Sequence, residues 1–209
     1  VMDDVALYLV LETGEAAQAR LAAVLALAEW SAVLIEPAEG TNLDARSAQP
    51  LVELAQSRSV AALLSADARL ALALGADGVH VPWSQDVLGS YEKARALLGR
   101  RFIVGADAGS TRHDAIGLGE AGADYIAFGR DREDAYGQRL DLVAWWAEVC
   151  EPPCVALDAA TAEEAISLAE AGADFVGVRI ARTLPLDRAC AQVEDIGGAL
   201  GLQIGGTTR

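Results

Sequence analysis

The sequence predicts an α/β fold, a barrel of eight parallel strands and eight helices spanning residues 1–209 as a single domain, and three observations carry that expectation. A helix end, a Gly-Ala-Asp turn and a short apolar strand follow one another in LALALGADGVHV (Leu70–Val81). The device returns at Ala121–Asp124 before YIAFG and at Ala171–Asp174 before FVGV. The returns lie about 50 residues apart, room for two strand–helix units of roughly 25 residues each. Finally, the first strand candidate is a continuous apolar run, the mark of a strand buried on both faces of a parallel sheet.

Each element follows in order. VALYLVL (Val5–Leu11) is the first strand, and Glu15–Trp30 carries Ala and Leu at helical spacing. SAVLIEP (Ser31–Pro37) is the second strand, and a polar loop leads to a helix over about Pro50–Arg58. SVAALLS (Ser59–Ser65) and its helix Ala66–Leu74 come next, then DGVHV and its helix Ser84–Leu98. RFIVGAD (Arg101–Asp107) is the fifth strand. Thr111, with Asp114 three residues on, heads a helix running to Ala121. DYIAFG is the sixth strand, followed by the acidic loop RDREDAYGQ and a helix over Leu142–Val149. PPCVALD (Pro152–Asp158) is the seventh, and Thr161 with Glu164 caps a helix to Ala171. DFVGVRI is the eighth, Asp187–Leu200 the last helix, and Gln203–Arg209 reads as a frayed tail. This is a (β/α)8 TIM barrel near its minimum length. The runner-up, an open doubly wound sheet, loses its commonest nucleotide-binding form because no GxGxxG follows the first strand.

Composition narrows the function. The formal net charge is −15, from 16 basic and 31 acidic side chains, so the surface repels nucleic acid and anionic membranes. No apolar run reaches the roughly 18 residues of a bilayer span, and Asp3 and Asp4 stand where a signal peptide is basic. Cys150, Cys154 and Cys190 form no CxxC pair and read as reduced thiols of a cytoplasmic protein. The net charge says little about a small-molecule partner, because a local basic cluster can still hold a small phosphorylated molecule, and the architecture leaves room for a homodimer.

In a barrel of this kind the active site lies at the C-terminal ends of the strands. Alternation along each strand sends Leu34 and Glu36, Gly78 and His80, Gly105 and Asp107, Ala156 and Asp158, and Gly177 and Arg179 into the lumen. In four of these pairs a small residue sits below a polar one, which suggests a hollow rimmed by Glu36, His80, Asp107, Asp158 and Arg179. Asp107, His80 and Asp158 are the candidate acid–base groups, although Asp107 and Asp158 equally suit helix caps. Arg179 and Arg182 follow the eighth strand, where barrels often bind phosphate, and Arg130, Glu36 and Gly129 are further candidate contacts. Asp77, Asp124 and Asp174 open their strands at the opposite end and read as structural. Trp83, Trp145 and Trp146 read as packing residues, with Trp83 placed to wall an aromatic ligand.

Three stretches, GADGVHVPWSQD, GADAGSTRHDAIGLGEAGADYIAFG and CVALDAATAEEAISLAEAGADFVGVRIA, together resemble the thiamine phosphate synthase/TenI superfamily from about Ser59 to Ala181, in a divergent proteobacterial form. The resemblance implies a transferase of thiamine biosynthesis that joins hydroxymethylpyrimidine diphosphate to a thiazole phosphate, releases pyrophosphate and uses Mg2+. Several family positions differ here. LIEPAEG stands where the family carries Gln-x-Arg-x-Lys after strand two. The family's Asn-Asp pair falls on Ser65 and Ala66, and its second metal Asp on Gln85, leaving Asp67 and Asp86 as shifted metal ligands. The serine after strand five falls on Asp107, DREDAYGQ replaces a Thr-x-Thr-Lys loop, and Leu157-Asp158-Ala159 replaces a Gly-Gly-Ile turn. The implied active site is therefore degenerate. A non-catalytic binder using Arg179 and Arg182, and a TenI-like isomerase using Asp107, Asp158 or His80, stay open beside the synthase.

Overall fold

The computed structural model describes residues 5–129 and 136–205. The strands β1 (Ala6–Glu12), β2 (Trp30–Glu36), β3 (Ala61–Ser65), β4 (Gly78–Val81), β5 (Ile103–Asp107), β6 (Ile126–Phe128), β7 (Cys154–Ala156) and β8 (Phe175–Ile180) pair in chain order. All pairs are parallel, and β1 closes the barrel on β8 with Tyr8 opposite Gly177 and Val10 opposite Arg179. The helices α1 (Ala17–Leu25), α2 (Ala45–Ser57), α3 (Ala68–Leu74), α4 (Val87–Leu98), α5 (Arg112–Glu120), α6 (Tyr136–Val149), α7 (Ala162–Glu170) and α8 (Leu186–Ala199) alternate with the strands. None of the described helices is long and apolar enough to cross a membrane.

Two apolar layers follow from strand alternation. Leu7, Leu9, Leu11, Val33, Ile35, Leu64 and Val79 pack outward against the helices. Tyr8, Val10, Leu34, Leu63, Tyr125, Ala127, Val155 and Leu157 fill the lumen. Each fully buried Leu or Val contributes roughly 1.5–3 kcal/mol over its exposed state, so the slip of one residue that would exchange the layers is strongly disfavoured.

The Gly-Ala-Asp device works as a clasp at the N-terminal end of the barrel. Asp77 accepts the backbone N–H of Ala62 at 2.8 Å, Asp124 that of Val104 at 2.7 Å, and Asp174 that of Cys154 at 2.8 Å. Each carboxylate thus bonds the strand preceding its own, which is the structural role expected of these three residues.

Several boundaries differ from those expected. Helix α1 ends at Leu25 and Trp30 opens β2, because its indole N–H bonds the Val24 carbonyl at 3.1 Å and its ring is buried. Helix α2 starts at Ala45, ahead of Pro50, since the Asp44 carboxylate accepts the Ser47 N–H at 2.8 Å and caps it earlier. Helix α6 begins at Tyr136, six residues before the apolar run that betrayed it. Thr111 and Thr161 do cap α5 and α7, accepting the N–H groups of Asp114 and Glu164 at 3.1 and 3.2 Å.

Candidate functional site

At the C-terminal mouth, Arg179 on β8 is the organising group. Its Nε donates to Asp158 Oδ1 at 2.7 Å, and its Nη1 donates to Glu36 on β2. The two carboxylates raise the guanidinium pKa further against the lowering effect of burial. The sequence therefore brings Glu36, Asp158 and Arg179 together, and their first partners are one another.

Asp158 reaches this pair by a route that alternation does not give. Val155 and Leu157 point into the lumen and Ala156 packs outward, the reverse of the expected parity on β7. Asp158 then takes φ 61, a left-handed conformation uncommon for a residue with a side chain. That single turn lets Leu157 and Asp158 both face inward. Asp158 is not a helix cap, since Thr161 holds that place for α7.

Asp107 ends β5 beside this pair. Its Oδ1 accepts N–H groups from Gly109 at 2.8 Å and Gly129 at 3.3 Å, so it too is no helix cap. A Cβ on Gly129 would lie 2.7 Å from Asp107 Oδ2, so the bare backbone of Gly129 is what admits the carboxylate. Burial pushes the Asp107 pKa up to about 6, its two backbone hydrogen bonds oppose this, and the charges of Asp158 and Glu36 add to the rise. Beneath it, His80 is 2% exposed and its Nδ1 lies 2.9 Å from the Tyr125 hydroxyl, which lies 2.9 Å from that of Tyr8. Burial first, and then the charge of Arg179, hold the His80 pKa down at about 3. Its imidazole is neutral at every ordinary pH.

The small lumen residues do not leave an open hollow, which corrects the expectation built on them. A Cβ on Gly105 would sit 2.0 Å from the Tyr125 ring, and one on Gly177 would sit 2.9 Å from the Leu157 backbone. Their space is taken by neighbouring strands. An apolar cavity of about 250 Å3 lies instead at the N-terminal end, lined by Tyr8, Tyr125, Ala32, Ala61, Ile103 and Phe175 among others.

The remaining candidates lie around this centre. Arg182 is exposed, its backbone N–H bonds Glu12 at 3.3 Å, and its chain lies over Gly14. Arg130 lies outside the described residues, as do Asp131, Glu133 and Asp134 of the acidic loop. Trp83 is 49% exposed and its ring covers Gly109. Cys154 is buried, which pushes its thiol pKa up to about 12 and away from chemistry.

Asp67 and Asp86 each have a local role. Asp67 caps α3, accepting the Leu70 N–H at 2.9 Å, and Asp86 pairs with Lys93 at 3.6 Å on an exposed face. Among the described residues no three His, Cys, Asp or Glu side chains converge as a metal site. Mg2+ asks for near-octahedral oxygen ligation, and this donor set does not by itself fit a preformed site.

Sequence reasoning missed three residues. Tyr8 and Tyr125 look like ordinary strand aromatics, and only closure of the barrel shows their hydroxyls meeting beneath His80. Arg139 on α6 is 1% exposed, donates to the Leu157 carbonyl and stands 3.6 Å from Glu164 of α7. It braces the backbone from which Asp158 turns inward.

Residues 7–181 match the family model described as thiamine monophosphate synthase. A thiamine-phosphate synthase of Erythrobacter litoralis is 41% identical over 155 residues, 71% of this chain and 71% of that protein. One of Rhodospirillum centenum is 39% identical over 123 residues, 56% of this chain and 58% of the relative. Among solved structures, a thiamine phosphate pyrophosphorylase from Pyrococcus furiosus superposes with a TM-score of 0.74 at 19% identity, covering 96% of this chain and 97% of that one. A tryptophan synthase alpha-subunit from the same organism gives 0.74 at 17% identity, over 92% and 98%. At such identities the structural likeness speaks for the barrel alone.

Proposed function

The chain belongs to the thiamine monophosphate synthase family, and from that premise we propose that its barrel mouth binds a phosphorylated heterocycle of thiamine biosynthesis and carries out the synthase reaction weakly. In that reaction hydroxymethylpyrimidine diphosphate and a thiazole phosphate are joined and pyrophosphate leaves. The supporting observation is the Arg179 pairing, a cation at the end of β8 held between Glu36 and Asp158.

A departing diphosphate develops negative charge that fixed cations must stabilise. Arg179 has five N–H groups, of which Glu36 and Asp158 hold two, and the two carboxylates offset its charge toward phosphate oxygens. Glu36 and Asp158 therefore compete with the substrate, and the competition is the reason for a weak reaction. Arg182, at the rim, suits the outer phosphate oxygens. Mg2+ is the ion the family implies, and Asp67 and Asp86 are the candidate residues for it. Holding it would take Asp86 from Lys93 and Asp67 from its cap.

A second reading, a TenI-like isomerase, is favoured by Asp107. A half-buried carboxyl whose pKa is near 6 is suited to giving and taking a proton at neutral pH. A cytoplasmic setting accords with either reading.

The deciding experiment is thiamine phosphate formation by the purified protein, with both substrates and Mg2+, beside an established synthase. A rate within about a hundredfold of the control, about 2.7 kcal/mol of barrier, supports the synthase reading. No product from folded protein, together with proton exchange or isomerisation of a thiazole substrate that Asp107→Asn abolishes, would replace it with the isomerase.

A further inference from the structure

We infer that Arg139 of α6 and Glu164 of α7 are positioning residues that hold Asp158 on Arg179, and so set how much of the Arg179 charge the mouth offers to an anion. The consequence for the anion rests on the mouth being the ligand site. The hold on Asp158 does not.

Asp158 needs holding. Its φ of 61 lies in the left-handed region, where a side chain crowds its own backbone, and such a conformation persists only when the surroundings over-determine it. Four hydrogen bonds to the flanking backbone do so. The Leu157 N–H donates to the Phe128 carbonyl at 3.0 Å and the Ala159 N–H to the Gly177 carbonyl at 2.9 Å, tying the segment to its neighbours on both sides. The other two bonds come from side chains. Arg139 Nη1 donates to the Leu157 carbonyl, and the Ala160 N–H donates to Glu164 Oε2 at 3.0 Å. The same Glu164 oxygen stands 3.6 Å from Arg139 Nη2, so one ion pair grips the segment at both of its ends.

The grip reaches the mouth through one residue. The Leu157 carbonyl belongs to the rigid peptide plane from which φ of Asp158 is measured, so fixing that carbonyl fixes the direction in which the Asp158 carboxylate leaves the chain. The carboxylate then meets Arg179 Nε at 2.7 Å. The sign of the effect separates this role from simpler ones. Taking a cation out of the neighbourhood of an anion site weakens anion binding by Coulomb's law. Taking Arg139 out of the clamp releases Asp158 from Arg179 and should strengthen it.

The test uses the full chain labelled with 15N-arginine. The Arg179 Nε–H resonance, identified by its absence in Arg179→Lys, reports the bond to Asp158 through its rate of exchange with water, and no ligand is needed. Arg139→Met keeps an unbranched apolar stem and removes the guanidinium, and Glu164, with its side chain 21% exposed, stays in reach of water. It is expected to speed the exchange at least tenfold, about as much as Asp158→Ala does. In the Asp158→Ala background it should add less than twofold, because Arg139 acts through Asp158. Calorimetry with inorganic pyrophosphate should show Arg139→Met binding about threefold more tightly than the wild type. Wild-type exchange in Arg139→Met, or a tenfold acceleration that persists in the Asp158→Ala background, would overturn the inference. Weaker pyrophosphate binding in Arg139→Met would overturn its consequence for the anion. If Arg139→Met does not fold, Glu164→Gln decides: it takes the charge out of the pair and should speed the exchange about threefold, and an unchanged rate would overturn the hold on Asp158. Pyrophosphate affinity that is the same in Arg179→Ala would remove the mouth as the anion site and leave the exchange rates untouched, so the two readings fail separately.

Discussion

Arg179 and Glu36, one on β8 and the other on β2, are bonded across the mouth of the barrel by strands that are both neighbours of β1. With Asp158 on its Nε, the guanidinium is neutralised before any ligand arrives. Removing one carboxylate should free it. Glu36→Gln is expected to tighten inorganic pyrophosphate binding about tenfold, about 1.4 kcal/mol, as read by calorimetry. Unchanged affinity would mean that Arg179 is not the anion contact.

Arg179→Ala takes away the cation and leaves Glu36 and Asp158 facing each other, with Asp107 close behind. Partly buried like charges without a partner are destabilising, and breaking a fully buried pair costs about 3–5 kcal/mol. Solvent reaches this pair, so a loss of about 1–2 kcal/mol is expected in urea unfolding. Glu36→Gln in the same background should restore part of it. No recovery in the double variant would argue against charge repulsion as the cause.

Much of this was legible in the chain. The repeat of Gly-Ala-Asp gave the strand spacing, and the clasps made by Asp77, Asp124 and Asp174 show why the repeat exists. Parity correctly placed Glu36, His80, Asp107 and Arg179, because their strands alternate without interruption up to the mouth. It failed on β7, where alternation runs through Val155 and Leu157 and Asp158 enters through a left-handed turn. The signal for that turn was indirect: Asp enters the left-handed region more readily than most residues, and Leu157-Asp158-Ala159 stands where the resembled family carries a Gly-Gly-Ile turn. The tyrosines escaped notice for another reason. Tyr8 and Tyr125 are 117 residues apart, and their meeting is a property of the closed barrel, which no window of sequence contains.

The buried His80 and the half-buried Asp107 oppose each other in acid. His80 has a folded pKa of about 3 against an ordinary 6.5, so its stabilisation is complete above pH 6.5 and is lost as pH falls toward 3. Asp107 has a folded pKa of about 6 against 3.8, so its contribution is complete below pH 3.8 and is lost as pH rises through 6. Between pH 6 and 4 the two slopes cancel. Asp107→Asn removes one of them and is expected to stabilise the protein at pH 8 by up to about 3 kcal/mol. It should also expose a steep loss of stability between pH 6 and 4 that the wild type lacks. Parallel stability–pH curves for the two proteins would refute the assignment.

Gly105→Ala tests the packing on which the centre depends. The new methyl would lie 2.0–2.4 Å from three atoms of the Tyr125 ring, which real Cβ atoms do not tolerate. The ring cannot swing aside cheaply, because its hydroxyl is bonded to both Tyr8 and His80 and it is 6% exposed. Overpacking of a rigid core costs about 1–3 kcal/mol, and the expected loss is at the upper end of that range. Ala at Gly137 is the control, since nothing lies within 4 Å of a Cβ there. Alanine is also the better helix former by about 1 kcal/mol, so Gly137→Ala should be neutral or stabilising. Equal stability of the two variants would mean that Tyr125 moves freely, and the hydrogen-bonded arrangement beneath the mouth would have to be abandoned with it.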